Sequence, residues 1–475
     1  MTRLRHQVLT TGLGVFGSNV VGMLVSIVIA RWLGVEQFGV YGFALAYVTL
    51  WSVAMDGGCI MLATRLAAQR GDPTVIRAMF TVKPVLVGLT AGGLALGVGL
   101  AGFDRIAHVP IALLAAGMAV ASYLGLGLAV FRGHQQFGVE SGYLVTQRLL
   151  FALLAVGALA ASAGVNGVSA AWALSWVLVA LPALALLRRR HGIGVGPDIG
   201  ALRQHGQAVL RAAGPLFIAD ALTQAHARNA PVLLQIISGA TEVGTYVAAR
   251  RLVEGLHLLP VAVGIALFPR LATTDQSASD DARVALRLMG VFSAAVCLGG
   301  WLWADEGITL LFGVGYAQAV GPLKIMLGTL AIMTVNSLLS LMLVARGGER
   351  AYAVVLGIAT VANLAFALPL VRDFGARATA WASVLSEGAL CVGCLWALGR
   401  TARTVLPLRE WGQLWAATAV ALAGLWFVKS LSPGLALALT GAVIVAGIEL
   451  LSPVPLRDLF RRPIHRPEAA RTEDR

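Results

Sequence analysis

Fourteen stretches of about twenty mostly apolar residues follow one another along this chain, and few folds accommodate that pattern. They fall at 10–30, 40–62, 82–102, 111–131, 143–163, 168–187, 212–237, 244–268, 285–303, 322–345, 352–371, 378–398, 411–428 and 434–451. Only 12% of the 475 residues are charged, against about 25% in a soluble domain. The solvent for most side chains is therefore lipid, where each backbone N–H and C=O must find a partner within the chain. The sequence predicts an all-α polytopic membrane protein of about 14 transmembrane helices. It excludes a soluble enzyme and a disordered chain. The first apolar run follows Arg3 and Arg5 but is too long for the roughly 7–15-residue core of a signal peptide, so it reads as the first span.

The net charge of +13 would suit a nucleic-acid partner, but the basic residues sit in clusters between apolar runs, as membrane-loop charges do. No nucleic-acid partner is expected. With the N-terminus in the cytoplasm, 27 of the 36 basic residues fall on cytoplasmic segments and helix flanks. Arg188, Arg189 and Arg190 and the tail residues Arg461, Arg462 and Arg466 are the strongest markers. Both termini are then cytoplasmic. The expected organisation is an N-terminal lobe over 1–190, a basic, Gly-rich linker over 191–211 and a C-terminal lobe over 212–400. An appended helix pair over 401–452 and a polar tail over 453–475 complete it.

An internal repeat supports the two lobes. Gly34-x4-Gly39-x-Tyr41 recurs as Gly239-x4-Gly244-x-Tyr246. Phe131-Arg132-Gly133 is echoed by Ala345-Arg346-Gly347, and Ala171-Trp172-Ala173 by Ala380-Trp381-Ala382. The order and spacing match two six-helix units of the same topology. Such parallel repeats characterise transporters, with the substrate path between halves that rock.

Ionisable side chains within spans are costly and tend to face a bundle interior or a wet cavity. The seventh and eighth spans carry the densest set. Asp220, Gln224 and Arg228 are spaced four apart on one, and Pro231 should kink that helix. Tyr246, Arg250, Glu254 and His257 share a face of the other. Two readings stand at this level. Asp220–Arg228 and Arg250–Glu254 are neutralising pairs, or the arginines line a cavity for an anion, since guanidinium matches phosphate bidentately. Arg251 points about 100° from Arg250 and is expected to snorkel.

The first half is less charged. Gly14, Ser18, Gly22 and Ser26 form a small-residue stripe that suits close helix packing. Asn19 and Asn336 are mid-span amides, either interhelical bonds or substrate contacts. Asp56, before Gly57 and Gly58, would bind a coupling cation or pair with Arg65; Glu387 is a further intramembrane acid. Cys391 and Cys394 read as small residues in a helix rather than a metal or redox pair. No metal-ligand motif, nucleophile elbow or Gly-Lys-Ser/Thr phosphate loop is present in the sequence, so neither cofactor nor ATP-driven pumping is expected. A membrane glycosyltransferase or polymerase would need a large loop or an acidic loop motif; the sequence has neither.

The segment Ala30-Arg31-Trp32-Leu33-Gly34-Val35-Glu36-Gln37-Phe38-Gly39-Val40-Tyr41 resembles the first-loop signature of bacterial polysaccharide (oligosaccharide) flippases, roughly A-R-x-L-G-x-x-x-F-G-x-Y. Gly244-Thr245-Tyr246-Val247-Ala248-Ala249 is similar to that family's G-x-Y-x-x-A, and Phe131-Arg132-Gly133 and the run from Gly375 to Ala380 look like family positions. The family belongs to the multidrug/oligosaccharidyl-lipid/polysaccharide exporter superfamily. The resemblance implies V-shaped, MATE-like lobes and the flipping of polyprenyl-diphosphate-linked oligosaccharide across the inner membrane. It implies membrane lipids and the polymerases and glycosyltransferases of the pathway as partners, and a monomer. Arg228 and Arg250 would bind the diphosphate, Tyr246 and Asn19 the sugar, with Gln224 and His257 as further cavity residues. Asp220, Glu254 and Asp56 are the ion-coupling candidates. Family members often carry an Asp two residues after the arginine of the seventh helix. Here Ala230 stands there, so that role does not carry over. A multidrug or cation antiporter of the same superfamily, needing an acidic cavity, and a peptidoglycan-precursor flippase are the alternatives.

Overall fold

A computed structural model describes residues 2–69, 71–271, 276–399 and 408–451. The expected tail over 453–475 lies outside them. Among the described residues every regular element is helical. The order is α1 (Thr2–Asp56), α2 (Cys59–Ala68), α3 (Pro73–Ala101), α4 (Arg105–Gly133), α5 (Phe137–Ala160), α6 (Gly164–His191), α7 (Ile199–Ile237) and α8 (Ala240–Leu271). There follow α9 (Gln276–Leu302), α10 (Ala304–Phe312), a 3-10 segment (Val314–Ala319), α11 (Val320–Ala345), α12 (Glu349–Leu398), α13 (Leu408–Leu431) and α14 (Pro433–Leu451).

Eight described helices are long and apolar enough to span a membrane, or nine if α9 and α10, bent by 78° between them, form one broken span. Two of these contain a break. α1 breaks at Gly34 (φ 74°) and α12 at Gly375 (φ 48°); α12 covers two of the expected spans, while α1 covers the first and stops within the expected 40–62, which the positive-φ Gly57 and Gly58 divide from α2. Positive φ is where a Cβ is penalised, which explains glycine at both breaks. α7 is not among the eight; its polar residues dilute the apolar run. α7 stays one helix through Pro215 and Pro231.

The repeated motifs meet each other. Gly34 and Gly239 share a left-handed backbone, φ 74° and 85°. A Cβ on Gly39 would collide with the Ala240 carbonyl, and one on Gly244 with the Val35 carbonyl. The two copies therefore pack backbone to backbone and join the lobes at one end. There the Tyr316 hydroxyl donates to Ala30 O at 2.8 Å, Arg31 donates to Leu310 O at 2.9 Å, and Phe38 packs edge-on against Tyr316. Glu242, inside the second copy, accepts from Ala376 N at 2.7 Å and so caps the helix that restarts after Gly375.

At the other end the expected linker over 191–211 is helical from Ile199 onward. Asp198 caps α7 by accepting from Ala201 N at 2.9 Å. The first turns of α7 bury Val209 and Ala213 in a core with Leu62, Phe80 and Phe131 of the first lobe. The apolar face of those turns overrides the loop-like Gly content before them. α13 packs along α9, setting Leu414 on Val291 and Ala294, and Leu425 on Leu298 and Leu302. Lys429 fastens that contact at the α9–α10 bend, donating to Leu302 O at 2.6 Å and pairing with Glu306.

Candidate functional site

Between the lobes lies a cavity of about 240 Å³. Asn19, Ser26, Tyr41, Arg148, Phe151 and Trp172 line it from the first lobe; Arg228, Arg251 and Glu254 line it from the second. Three guanidinium groups thus face one carboxylate. Glu254 accepts from Arg250 Nε at 2.8 Å and from Arg251 at 3.2 Å, and Arg228 stands 3.9 Å away. Arg148 has no acidic partner among the described residues; its charged neighbour is Arg251. The Nε groups of Arg228 and Arg251 are buried without a hydrogen-bond partner among the described residues. Unmatched donors in a partly desolvated site are unfavourable until an acceptor arrives. The arrangement is suited to an anion with several oxygens.

A second, smaller cavity of about 50 Å³ lies within the second lobe, lined by His226, Asn229, Tyr246, Arg250, Glu254, Asn363 and Glu387 among others. Glu254 borders both spaces. Arg250 turns toward this inner pocket, where it donates to the Tyr246 hydroxyl at 3.0 Å.

The sequence-derived candidates therefore separate. Arg228, Asn19 and Glu254 reach the inter-lobe cavity. Arg250 and Tyr246 line the inner pocket instead, and Tyr246 is wholly buried. His257 is turned to α11, 2.8 Å from Ser337 Oγ. Gln224 lines neither space. Asp220 forms no ion pair with Arg228; the partner of Arg228 is Glu254. The reason is directional: Arg228 leans toward α8, which supplies the nearer acid. Arg251, expected to snorkel, is in the cavity wall, because α8 faces the first lobe on that side.

Asp56 pairs neither with Arg65 nor with an open site. Its carboxylate accepts from Lys83 at 2.9 Å and caps the start of α2 at Ile60 N, 3.3 Å away. Lys83 is wholly buried and also donates to Met55 O at 3.2 Å and Ser122 Oγ at 2.6 Å. All three of its N–H bonds are used. Asn336 serves as an interhelical bond, donating to Glu387 at 2.7 Å.

Sequence reasoning missed Arg148 and His226 as site residues. Arg148 sits six residues into the expected fifth span, a hint that a flank assignment concealed. Its guanidinium rests over Gly22, so that glycine of the small-residue stripe makes room for a cation. His226 is two residues before Arg228 on α7 and faces Glu387.

Two lobes of long helices pack around a polar inter-lobe cavity. The chain belongs to the polysaccharide biosynthesis protein family, whose model matches residues 4–275. The Lipid II flippase MurJ in an inward closed conformation superposes over 95% of this chain and 100% of its own, with a TM-score of 0.78 at 11% identity. An inward-facing multidrug resistance MATE family transporter matches over 82% and 95%, with a TM-score of 0.63 at 17% identity. A MOP superfamily transporter from Pyrococcus furiosus, described as having a binding pocket of reverse polarity, gives 0.60 over 84% and 96% at 18% identity. No curated protein matches the sequence.

Proposed function

We propose that this protein flips polyprenyl-diphosphate-linked oligosaccharide across the bacterial inner membrane, for O-antigen, capsule or exopolysaccharide synthesis. The observation that carries the reading is the guanidinium surplus of the inter-lobe cavity, Arg148, Arg228 and Arg251 against Glu254 alone among the described residues. A diphosphate head group cannot enter hydrocarbon without losing its hydration. Arg228 and Arg251 bind it from the second lobe and Arg148 from the first, so the anion bridges the lobes. Asn19 and Ser26 contact the adjoining sugar, while the polyprenyl tail stays in lipid. Tyr246 and Arg250 act from behind by holding Glu254. At about 240 Å³ the cavity is below the roughly 300–1,000 Å³ of ordinary ligand pockets. It fits a head group, and the lobes must part for a longer glycan.

The moving bodies are the lobes over 1–190 and 212–400, with α13 and α14 carried by the second. Both termini are cytoplasmic, on the positive-inside bias. The end joined by Gly39 and Gly244 is then extracytoplasmic, and the lobes are closed there. Reporter fusions at the tail test this; an extracytoplasmic tail contradicts it.

The functional test is reconstitution into proteoliposomes with a fluorescent polyprenyl-diphosphate glycan. Wild type should move it between leaflets, and R228Q and R251Q should abolish movement at unchanged protein yield. Full transport by both variants overturns the reading. Likeness to the Lipid II flippase over nearly the whole chain favours a second reading, a peptidoglycan precursor with the same diphosphate chemistry. Running both lipids in the same assay separates the two. Export of organic cations needs an acidic cavity and is disfavoured by the arginines.

A further inference from the structure

Asp56, Glu254 and Glu387, three acids of the expected spans, each meet a base, and the bases differ in kind. Asp56 meets Lys83, and Glu254 meets Arg228, Arg250 and Arg251. Glu387 of α12 meets His226 of α7, Oε1 to Nε2 at 3.7 Å, with the two side chains 15% and 16% exposed. Imidazole changes charge within the physiological range, whereas guanidinium does not.

The hydrogen bonds around the pair fix where its proton must go. Thr360 Oγ1 lies 3.1 Å from His226 Nδ1 and donates its own proton to Leu356 O at 2.8 Å. It therefore accepts from His226, which makes Nδ1 the N–H of the ring. In a neutral ring Nε2 is then a bare lone pair, 3.7 Å from a carboxylate oxygen. Two acceptors face each other, and one proton on either atom turns the contact into a donor and an acceptor. The other oxygen, Oε2, is held by Asn336 Nδ2 at 2.7 Å, so the carboxyl has little freedom to turn away. The adjoining pocket of about 50 Å³ admits water but no organic ligand.

The other titratable or charged groups around the pair do not meet this need. On α8, Arg250 and Tyr246 are bonded to each other, and Glu254 is matched by arginine. His257 is also on α8. Ser337 donates its proton to Met333 O at 2.8 Å, so His257 Nε2 is the donor to Ser337 Oγ. α11 contributes the amide Asn336. On α12, Tyr352 and Cys391 lie near Glu387 without an ion pair among the described residues. On α7, Arg228 follows two residues on and turns to Glu254.

We propose that His226 and Glu387 form a one-proton binding site in the second lobe, coupled to the anion cavity. Glu254 borders both spaces, so a proton added to the pair makes the field at the neighbouring arginines more positive. Proton and anion binding then strengthen each other, reciprocally and by the same factor. The coupling rests on the anion-binding reading above; the proton site does not.

Nitrogen-15 histidine spectra of the purified full-length protein test the site with no ligand present. On going from pH 8 to pH 5.5, His226 Nδ1 should stay protonated while Nε2 changes from bare to protonated. The isosteric E387Q should weaken that change at an unaltered melting temperature. A bare Nε2 throughout, or identical behaviour in E387Q, overturns the site. Farnesyl diphosphate titrations test the coupling. Wild type should bind about tenfold more tightly at pH 5.5 than H226Q does, with the two converging at pH 8. A His226 that takes its proton while H226Q binds like wild type at both pH values overturns the coupling. Absence of farnesyl diphosphate binding at any pH would instead count against the anion cavity.

Discussion

Asp56 of the N-terminal lobe and Glu254 of the C-terminal lobe are alike in the sequence, each an acid inside an apolar run, yet their surroundings make them opposites. Asp56 has one cation, Lys83, whose three N–H groups all find acceptors. The cluster is closed by its own hydrogen bonds. Glu254 has three arginines around it, two of which retain a buried N–H without a partner among the described residues. The cluster is open to a cavity and carries surplus charge. The comparison teaches that a buried charge marks a ligand site when its hydrogen bonds fail to close, not by being buried.

Five single substitutions and one double variant probe that contrast. The largest effect should come from K83M, which leaves Asp56 buried and unpaired. A loss of about 3–5 kcal/mol is expected, read as a lower thermal midpoint in detergent. The double variant D56N/K83M should recover most of it; no recovery would mean that the pair is not self-contained. Next, R228Q and R251Q should each weaken farnesyl diphosphate binding by roughly 10- to 100-fold, the value of about 1.5–3 kcal/mol for hydrogen bonds to a charged group. Their melting should stay near wild type, the reverse of K83M. R250Q sharpens the distinction inside the Glu254 cluster. It should cost about 1.5 kcal/mol of stability through Tyr246 and Glu254, and change affinity little. A large affinity loss there would return Arg250 to the anion site. Smallest and opposite in sign, E254Q removes the only carboxylate of the cavity among the described residues and should tighten anion binding about two- to fivefold.

Much of the fold was legible because lipid imposes a coarse code. The all-α class, the multi-pass arrangement and the repeat follow from apolar run length and from Gly34, Gly39 and Gly244. Those glycines were read only as a recurring spacing. Their contact with one another depends on how the lobes dock, which no local pattern carries. α7 and α8 announced themselves through charge, but the side of α8 that meets the first lobe was not readable. Arg250 and Arg251 were therefore exchanged, since about 100° of rotation decides which one enters the cavity. Lys83 and Asp56 lie on different helices, so their pairing needs three-dimensional contact, and the sequence suggested the nearer Arg65 instead. His226 escaped because a lone histidine acquires meaning only from its neighbour, and Glu387 is 161 positions away.

The central claim is that the inter-lobe guanidinium groups recognise a diphosphate. Calorimetric titration of farnesyl diphosphate, farnesyl phosphate and farnesol into wild type and the triple variant R148Q/R228Q/R251Q addresses it most directly. Wild type should rank the three ligands in that order, and the triple variant should bind them alike. A triple variant that still prefers the diphosphate by the wild-type margin would contradict the account.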